Sequence, residues 1–304
     1  MVKERDRTQF PKWLRSKLSD ETAVGSTVSL LESLSLNTVC QSAHCPNIGV
    51  CFSRSTATFL ILGTVCTRSC TFCAVRKGEP APVDPDEPSR VAQAVERLGL
   101  RYVVVTSVTR DDLPDGGSGQ FIDTIRAIRS RCPGVMIEVL VPDFRGEAKL
   151  VESVVNAQPE VFGHNLETVP RLHRDVRPNA DYARSLRVLE AAKERSVSTM
   201  TKSGIMVGLG ERHDEVIAVM KDLRGVGCDI FTVGQYLSPS KRHHPVVEFV
   251  PPEVFDEYGR VGRELGFRHV ASGPLVRSSY MADVAFSSAT KEGDLVDGIR
   301  SQSA

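Results

Sequence analysis

Short apolar runs alternate with helical stretches from residue 56 to residue 272, and this alternation restricts the fold more than any other feature of the chain. The predicted strands are almost uniformly apolar and lie at residues 58–63, 102–106, 135–141, 161–163, 203–209, 229–233 and 269–272. The predicted helices repeat apolar residues at helical spacing and lie at residues 88–98, 121–128, 146–156, 182–189, 216–223 and 252–265. Alternating strands and helices predict a parallel sheet, and apolar strands predict burial on both faces.

Six or seven of these units occupy about 220 residues, fewer than the ~250 residues of a complete eight-unit barrel. We therefore predict an α/β fold, an incomplete (β/α)6-type TIM barrel at residues 56–275. An N-terminal extension with little periodic pattern spans 1–55, and a C-terminal extension spans 276–304, loosely ordered after residue 285. A doubly wound sheet is the alternative. In either fold, the functional site lies at the carboxyl ends of the strands.

The charge balance and the hydropathy pattern exclude several classes of protein. The chain has 38 basic and 38 acidic side chains, which gives no support to a nucleic-acid or anionic-membrane surface. Its first residues are basic and polar, without the apolar core of a secretory signal. No apolar run approaches the ~18–20 residues of a membrane span. We therefore expect a cytoplasmic protein with no membrane partner, whose thiols stay reduced.

Six of the eight cysteines form two tight triplets. The first triplet is Cys40, Cys45 and Cys51, and the second triplet is Cys66, Cys70 and Cys73. Disulfide bonds are disfavoured by the reducing compartment and by the crowding of the cysteines into residues 40–73. The two cysteines outside the triplets, Cys132 and Cys228, are predicted to be small packing residues.

The second triplet follows the first predicted strand and therefore lies at the functional edge. A zinc site usually has four protein ligands, often in CxxC pairs, and three cysteines without a nearby histidine fit it poorly. Three thiolates on a [4Fe–4S] cluster leave one iron open. An open iron can bind the amino and carboxylate groups of S-adenosylmethionine, whose sulfonium an electron could then cleave. Phe72 is a candidate to pack on the nucleoside, or simply to shield the cluster.

The CxxxCxxC loop, with an aromatic residue before its last cysteine, resembles the radical S-adenosylmethionine superfamily. Both triplets together, with the sequence Cys45-Pro-Asn-Ile-Gly, closely resemble the lipoyl synthase family. The similarity covers most of the chain and includes Arg110-Asp-Asp-Leu-Pro-Asp-Gly-Gly117, Gly163-His-Asn-Leu-Glu-Thr168, Thr201-Lys-Ser-Gly-Ile-Met-Val-Gly-Leu-Gly-Glu211, Gln235-Tyr-Leu-Ser-Pro-Ser240 and Arg277-Ser-Ser-Tyr280.

This resemblance implies a sulfurtransferase that acts on an octanoyl chain attached to a lysine of a lipoyl carrier domain. Two 5'-deoxyadenosyl radicals abstract hydrogen from C6 and C8, and the sulfur comes from an auxiliary [4Fe–4S] cluster that is consumed. The auxiliary ligands are then the first triplet and Ser279. A hard oxygen ligand binds iron less well than a soft thiolate, which suits a ligand that releases its iron as sulfur is extracted. Without the resemblance, Ser279 is a hydroxyl that satisfies a loop backbone.

The resemblance also implies several partners. The carrier is the E2 component of a 2-oxoacid dehydrogenase or the H protein of glycine cleavage. The electron donor is a flavodoxin or ferredoxin, and cluster assembly or carrier proteins rebuild the consumed cluster. The enzyme is expected to be a monomer. One departure from the family is Met281, where a histidine or lysine is expected, and it affects surface or substrate contacts more than the chemistry.

Other polar residues at the expected active edge are also candidates. Asn165 and Glu167 are placed to bind the ribose or amino end of S-adenosylmethionine, or simply to cap a helix. Arg177 is a candidate partner for a carboxylate, or a surface arginine. The basic run at residues 241–244 is a candidate contact for an acidic carrier domain, or a solvated loop.

Two further functions are alternatives. A non-catalytic protein would use the triplets for zinc or for electron transfer, with His44 as a fourth ligand of the first triplet. Because His44 adjoins Cys45, the two are poorly placed to bind one ion together, and a second cluster is preferred. A different radical enzyme, such as a methylthiotransferase, is the other alternative, and the C-terminal Arg277-Ser-Ser-Tyr280 argues against it.

Overall fold

An eight-stranded sheet dominates the computed structural model, which describes residues 11–14, 21–54 and 56–290. The strands, in chain order, are β1 (Asn37–Thr38), β2 (Thr58–Ile61), β3 (Val65–Cys66), β4 (Arg76–Lys77), β5 (Tyr102–Ser107), β6 (Met136–Leu140), β7 (Val161–Gly163), β8 (Met200–Val207), β9 (Ile230–Gln235) and β10 (His269–Ser272). The helices are α1 (Glu21–Ser33), α2 (Val39–Ser42), α3 (Ile48–Ser53), α4 (Glu87–Arg97), α5 (Ser118–Arg131), α6 (Ala148–Asn156), α7 (His173–Val176), α8 (Tyr182–Arg195), α9 (His213–Gly225) and α10 (Pro252–Glu264). Residues 282–290 are also helical.

The strand order of the large sheet is β1-β2-β5-β6-β7-β8-β9-β10, and β3 pairs with β4 in a separate small sheet. Only β1 is antiparallel to its neighbour, and the other large-sheet strands are parallel. Among the described strands, β1 and β10 are not paired with each other, so the sheet is not a closed barrel. Their order nowhere reverses, as it would in a doubly wound sheet.

All seven predicted strands are confirmed, and the largest difference is at β8, which begins at Met200 rather than at residue 203. The predicted helices are confirmed as α4, α5, α6, α8, α9 and α10. In α5, the side chains of Phe121, Ile125 and Ile128 are buried on the face that covers the sheet. Burying a side chain of this size contributes about 1.5–3 kcal/mol. The spacing of apolar residues in the sequence therefore determines where the helices form and which face of each helix is buried.

The two ends of the chain differ from the expectation of little regular structure. In the N-terminal extension, α1 packs against α3, and Thr27 Oγ1 donates a hydrogen bond to the Phe52 carbonyl. Near the other end, the helix at 282–290 includes residues beyond 285, because its small side chains fit closely against the strands. Ala289 is buried among residues at the beginnings of three strands, Val161, Met200 and Ile230. Residues 1–10, 15–20 and 55 of the predicted N-terminal extension and residues 291–304 of the C-terminal extension lie outside the described residues.

The sheet encloses a buried ion pair between Lys202 of β8 and Glu138 of β6. Lys202 Nζ is 2.8 Å from Glu138 Oε1, and their side chains are 1% and 2% exposed. The Tyr102 hydroxyl donates to Glu138 Oε2 at 2.6 Å. The three side chains therefore satisfy one another's hydrogen-bonding groups inside the sheet, where the ion pair is shielded from solvent. None of the described helices is both long and apolar enough to cross a membrane.

Candidate active site

The second triplet lies in the loop that follows β2, at the carboxyl edge of the sheet. Arg68, between Cys66 and Cys70, anchors this loop. Its Nε is 2.7 Å from Asp111 Oδ2, and its Nη2 is 2.6 Å from Asp143 Oδ1. Asp111 and Asp143 come from the loops after β5 and β6, so one arginine joins three neighbouring loops. Ion pairs with good geometry satisfy a guanidinium that is otherwise costly to bury.

Hydrogen bonds to neighbouring segments fix the rest of the loop. The Thr67 hydroxyl donates to the Thr109 carbonyl at 3.0 Å, and the Thr71 amide donates to the Val176 carbonyl at 3.0 Å. The Ser69 hydroxyl donates to Asn179 Oδ1 at 2.9 Å. These bonds attach the loop to the segment after β5 and to residues at and after the end of α7.

The three thiols of this triplet lie close enough to influence one another electrostatically. Burial raises the pKa of Cys73 to about 12, with smaller contributions from Cys70 and Cys66. Burial likewise raises the pKa of Cys70. The backbone amides of Arg68 and Thr109 both donate to Cys66 Sγ at 3.4 Å. Amide donors to sulfur are a feature of iron–sulfur sites, where they tune the reduction potential.

The first triplet forms a second group of neighbouring thiols. Cys40 lies in α2, Cys51 lies in α3, and Cys45 lies in the turn between them. Burial raises the pKa of Cys51 to about 12, and the nearby thiols of Cys40 and Cys45 raise it further. Ser279 lines the same small cavity as all three cysteines, although it is far away in the sequence. The Thr58 hydroxyl donates to Ser279 Oγ at 2.8 Å.

The donor sets fit two iron–sulfur clusters. All eight cysteines have free thiols. In the described part of the chain, no three His, Cys, Asp or Glu side chains converge on one point, which is the arrangement that a single zinc ion with the first triplet and His44 would need. Three thiolates that bind different irons of one cluster need not converge in this way. The first triplet has the Ser279 hydroxyl beside it, where a fourth ligand would be needed, and the second triplet would leave one iron open.

One cavity connects the two groups of thiols. Its walls include Cys40, Cys45 and Ser279 from the first group and Cys73 from the second triplet. Apolar side chains line much of the surface between them, including Val39, Ala43, Leu140, Met206, Leu237 and Val276. A molecule in this cavity could contact both groups at once.

Three of the residues proposed to contact S-adenosylmethionine, Phe72, Asn165 and Glu167, line this cavity. Asn165 Nδ2 donates to Glu167 Oε1 at 3.1 Å, and Ser278 Oγ donates to Asn165 Oδ1 at 3.2 Å. Burial raises the pKa of Glu167, while Arg177 and Asn165 act in the opposite direction. Glu167 has φ +66°, a strained value for a residue with a side chain. Asn165 and Glu167 form the polar wall of the cavity. Their side chains are therefore held more tightly than helix capping requires.

Arg177 is buried and does not line the cavity, so the expectation of a surface arginine is wrong. Its Nη1 donates to the carbonyls of Asn165 at 2.8 Å and Leu166 at 3.2 Å. Its Nε has no hydrogen-bond partner within the described residues. Arg177 is also close enough to Cys70 to lower the pKa of that thiol, against the larger effect of burial. The guanidinium thus supports the polar wall from behind.

The basic run at residues 241–244 is only partly a solvated loop. The His244 amide donates to the Thr71 carbonyl at 3.0 Å, and Tyr236 OH donates to the His244 carbonyl at 2.7 Å. These contacts tie the run to the loop of the second triplet, while Lys241 and Arg242 are exposed. Met281 is 41% exposed, and its φ of +51° shows a turn directly before the last described helix.

Sequence reasoning missed the residues that hold the ligands in place. Arg68 and Asp143 were not identified, although Arg68 lies inside the triplet and Asp111 lies in the quoted Arg110-Asp-Asp sequence. Asn47 was also missed, and its Nδ2 donates to the Leu275 carbonyl at 2.7 Å. A charged or amide side chain two positions from a cysteine is the signal that could have found Arg68 and Asn47, because such groups need partners when they are buried. No such signal marks Asp143.

Comparisons with known proteins identify the family of this chain. The profile of the Radical SAM superfamily matches residues 60–223. A lipoyl synthase of Caldanaerobacter subterraneus subsp. tengcongensis is 58% identical over 277 residues, which cover 91% of this chain and 97% of that protein. A lipoyl synthase of Rubrobacter xylanophilus is 53% identical over 279 residues, which cover 92% of this chain and 87% of that protein.

Solved structures show the same fold at low sequence identity. The crystal structure of methylornithine synthase (PylB) has a TM-score of 0.51 and 13% identity, covering 88% of this chain and 86% of that chain. The crystal structure of HydG, a maturase of the [FeFe]-hydrogenase, has a TM-score of 0.54 and 14% identity, covering 85% of this chain and 63% of that chain. Both similarities concern the α/β architecture alone.

Proposed function

The chain belongs to the Radical SAM superfamily and to its lipoyl synthases, and we propose that it inserts sulfur at C6 and C8 of an octanoyl chain. It is a radical, sulfur-inserting enzyme that acts on a lipoyl carrier and needs a reductant. The proposed acyl chain is attached to a lysine of that carrier, and the product is the lipoyl cofactor. The sequential order of the parallel strands supports an incomplete barrel around the site.

The observation that carries this proposal is the single cavity shared by both cysteine groups. Cys73 of the second triplet lines this cavity, and so do Cys40, Cys45 and Ser279. Sulfur insertion requires the place where hydrogen is removed to lie near the source of sulfur. A cavity that reaches both groups permits one bound chain to meet both requirements.

The second triplet is proposed to hold one [4Fe–4S] cluster, and the first triplet with Ser279 is proposed to hold the other. When bound, the cluster of the second triplet would supply the electron that cleaves S-adenosylmethionine. The cluster of the first triplet would supply sulfur. Asn165, Glu167 and Phe72 are proposed to position S-adenosylmethionine, and Arg177 holds the carbonyls of Asn165 and Leu166.

The apolar walls between the two groups are proposed to form the slot for the octanoyl chain. Val39 and Ala43 come from the N-terminal extension, Leu140 from the end of β6, and Val276 from the C-terminal segment. Apolar side chains favour an alkyl chain and exclude water from a radical. Hydrogen abstraction from a methylene needs no general base, which agrees with a cavity built mainly from apolar walls.

The partners proposed from the family are an E2 or H-protein carrier, a flavodoxin or ferredoxin as reductant, and proteins that rebuild the consumed cluster. We propose a monomer in the cytoplasm, where cluster thiolates stay reduced. The exposed cations Lys241 and Arg242 are available to contact an acidic carrier.

An anaerobic reconstitution tests the proposed function. The protein is loaded with iron and sulfide, then mixed with S-adenosylmethionine, a strong reductant and an octanoyl-lysine peptide. We expect about eight irons per chain, together with 5'-deoxyadenosine and a peptide that gains two sulfurs by mass spectrometry. Cleavage without sulfur insertion would reject the substrate and favour another radical enzyme. Zinc without cleavage would favour a metal-binding protein instead.

A further inference from the structure

Thr58, the first residue of β2, lies beside Cys40 and Ser279, two of the proposed ligands of the first cluster. Its hydroxyl donates to Ser279 Oγ at 2.8 Å. Thr58, Cys40 and Ser279 line the same small cavity. Cys40 comes from the N-terminal part of the chain and Ser279 from the C-terminal part. In the folded protein, Thr58 lies at the cavity where these two residues meet.

The strand makes Thr58 a rigid support. Its backbone pairs with β5, in register with Val104, and its side chain is buried. A β-branched side chain in a strand has few rotamers, so the hydroxyl direction is well defined. Groups on strands hold a site more precisely than groups on loops.

Ser279 reaches Thr58 on a segment that we name the C-terminal strap, residues 274–279. The strap crosses β9 so closely that a Cβ atom built on Gly234 would lie 2.0 Å from the Val276 carbonyl oxygen. Asn47 Nδ2 holds the Leu275 carbonyl, and Ser278 Oγ donates to Asn165. These contacts fix the strap backbone, and Thr58 adds a hydrogen bond to the hydroxyl of Ser279.

We propose that Thr58 is a positioning residue for the first cluster, which fixes Ser279 beside Cys40 so that the serine oxygen can bind the fourth iron. This rests on the proposed function, in which Ser279 is a ligand. Thr58 has one hydroxyl proton, and both the serine oxygen and a Cys40 thiolate can accept it. Partners of metal ligands orient those ligands, and their loss typically reduces metal affinity about 10-fold to 100-fold.

The test measures iron release and does not depend on turnover. Wild type and variants are reconstituted anaerobically, and the rate of iron transfer to a chelator is followed by absorbance. In Thr58→Val, we expect about four irons to be released about 10-fold to 100-fold faster, and the other four at the wild-type rate. A background with Cys66, Cys70 and Cys73 changed to alanine assigns the fast phase to the first triplet.

Two variants separate the hydroxyl from general packing. Thr58→Ser keeps the hydroxyl and should release iron at nearly the wild-type rate. Thr124→Val removes a buried hydroxyl from α5 that donates to the Gln120 carbonyl in its own helix, and it should also behave as wild type. If Thr58→Ser releases iron as fast as Thr58→Val, the hydroxyl is not the cause and the inference is wrong.

A double variant tests the route through Ser279. Thr58→Val should add no further acceleration to Ser279→Ala, because the two changes remove the same interaction. Equal acceleration in both backgrounds would overturn the inference. Wild-type protein with only about four irons would overturn the two-cluster proposal and this inference together. Eight irons with an unchanged Thr58→Val would overturn this inference alone.

Discussion

Arg68 Nη2 lies 2.6 Å from Asp143 Oδ1, and the two side chains are 5% and 0% exposed. The pair joins the loop of the second triplet to the loop after β6. Asp143 also receives a hydrogen bond from Arg184 Nη1 at 3.3 Å. The ligand loop is therefore attached to the sheet by charge, as well as by backbone contacts.

The stability contributed by Asp143 should depend on pH. Burial alone would raise the pKa of this carboxyl, but hydrogen bonding and attraction to Arg68 lower it from 3.8 to about 2. A pKa lower in the folded state stabilises the fold above the unfolded value, and this contribution is lost as pH falls from about 4 towards 2. We expect Asp143→Asn to lower the free energy of unfolding by about 2 kcal/mol at neutral pH.

Urea unfolding of the metal-free protein at a series of pH values measures this difference. The difference between wild type and Asp143→Asn should stay constant above about pH 5 and shrink below about pH 4. A difference that does not change with pH would show that the ionised carboxylate is not responsible.

Replacing Lys202 by methionine should destabilise the fold strongly. The change leaves the Glu138 carboxylate buried without its cation, and breaking a buried pair in this way costs about 3–5 kcal/mol. The double variant Lys202→Met, Glu138→Leu should recover most of this loss. Lys221→Met, at an exposed position of α9, is the matched control and should change stability by less than about 0.5 kcal/mol. Urea unfolding compares all four proteins.

Removing one ligand of the second triplet should abolish radical formation but spare the first cluster. In Cys70→Ala we expect iron to fall from about eight to about four per chain, with no 5'-deoxyadenosine. Cys132→Ala is the control, because Cys132 lies at the end of α5, with its thiol near the Ala92 carbonyl. Iron assay and chromatography give both readings. Normal cleavage by Cys70→Ala would exclude this thiol as a ligand.

Changing Ser279 should separate cleavage of S-adenosylmethionine from sulfur insertion. Ser279→Ala should still form 5'-deoxyadenosine, while the doubly sulfurated peptide is lost, because only the first cluster loses a ligand. Ser279→Cys should keep its iron but insert sulfur more slowly, since a thiolate releases iron less readily than oxygen. Mass spectrometry of the peptide distinguishes the cases. Two insertions at the normal rate in Ser279→Cys would show that an oxygen ligand is not needed.

The order of strands and helices could be predicted from the sequence because each apolar run is buried where it lies in the chain. The helix α1 could not, since its sequence, ETAVGSTVSLLES, is rich in serine, threonine and glycine, which are weak helix formers. Contacts with α3 stabilise it. The helix at 282–290 likewise depends on Ala289 and Phe286 packing against the sheet.

The two cysteine triplets were visible because their ligands are close together in the sequence. The partners of those ligands were not, since they are distant in the chain. Thr58 and Ser279 are 221 positions apart, and Arg68 and Asp143 are 75 positions apart. Only the folded sheet brings such pairs into contact, and a single sequence carries no record of which distant residues will meet.

Because the strap crosses so close to Gly234, a substitution of this strand residue should be as damaging as a substitution of a proposed metal ligand. A methyl group there would push the Val276 carbonyl away and move Ser279 with it, although residue 234 is not one of the proposed ligands. A screen for bacteria that lack lipoylated proteins should therefore recover Gly234→Ala in the same phenotypic class as changes of the cysteines. The activity should therefore depend on the absence of a side chain at residue 234 as much as on the side chains of the proposed ligands.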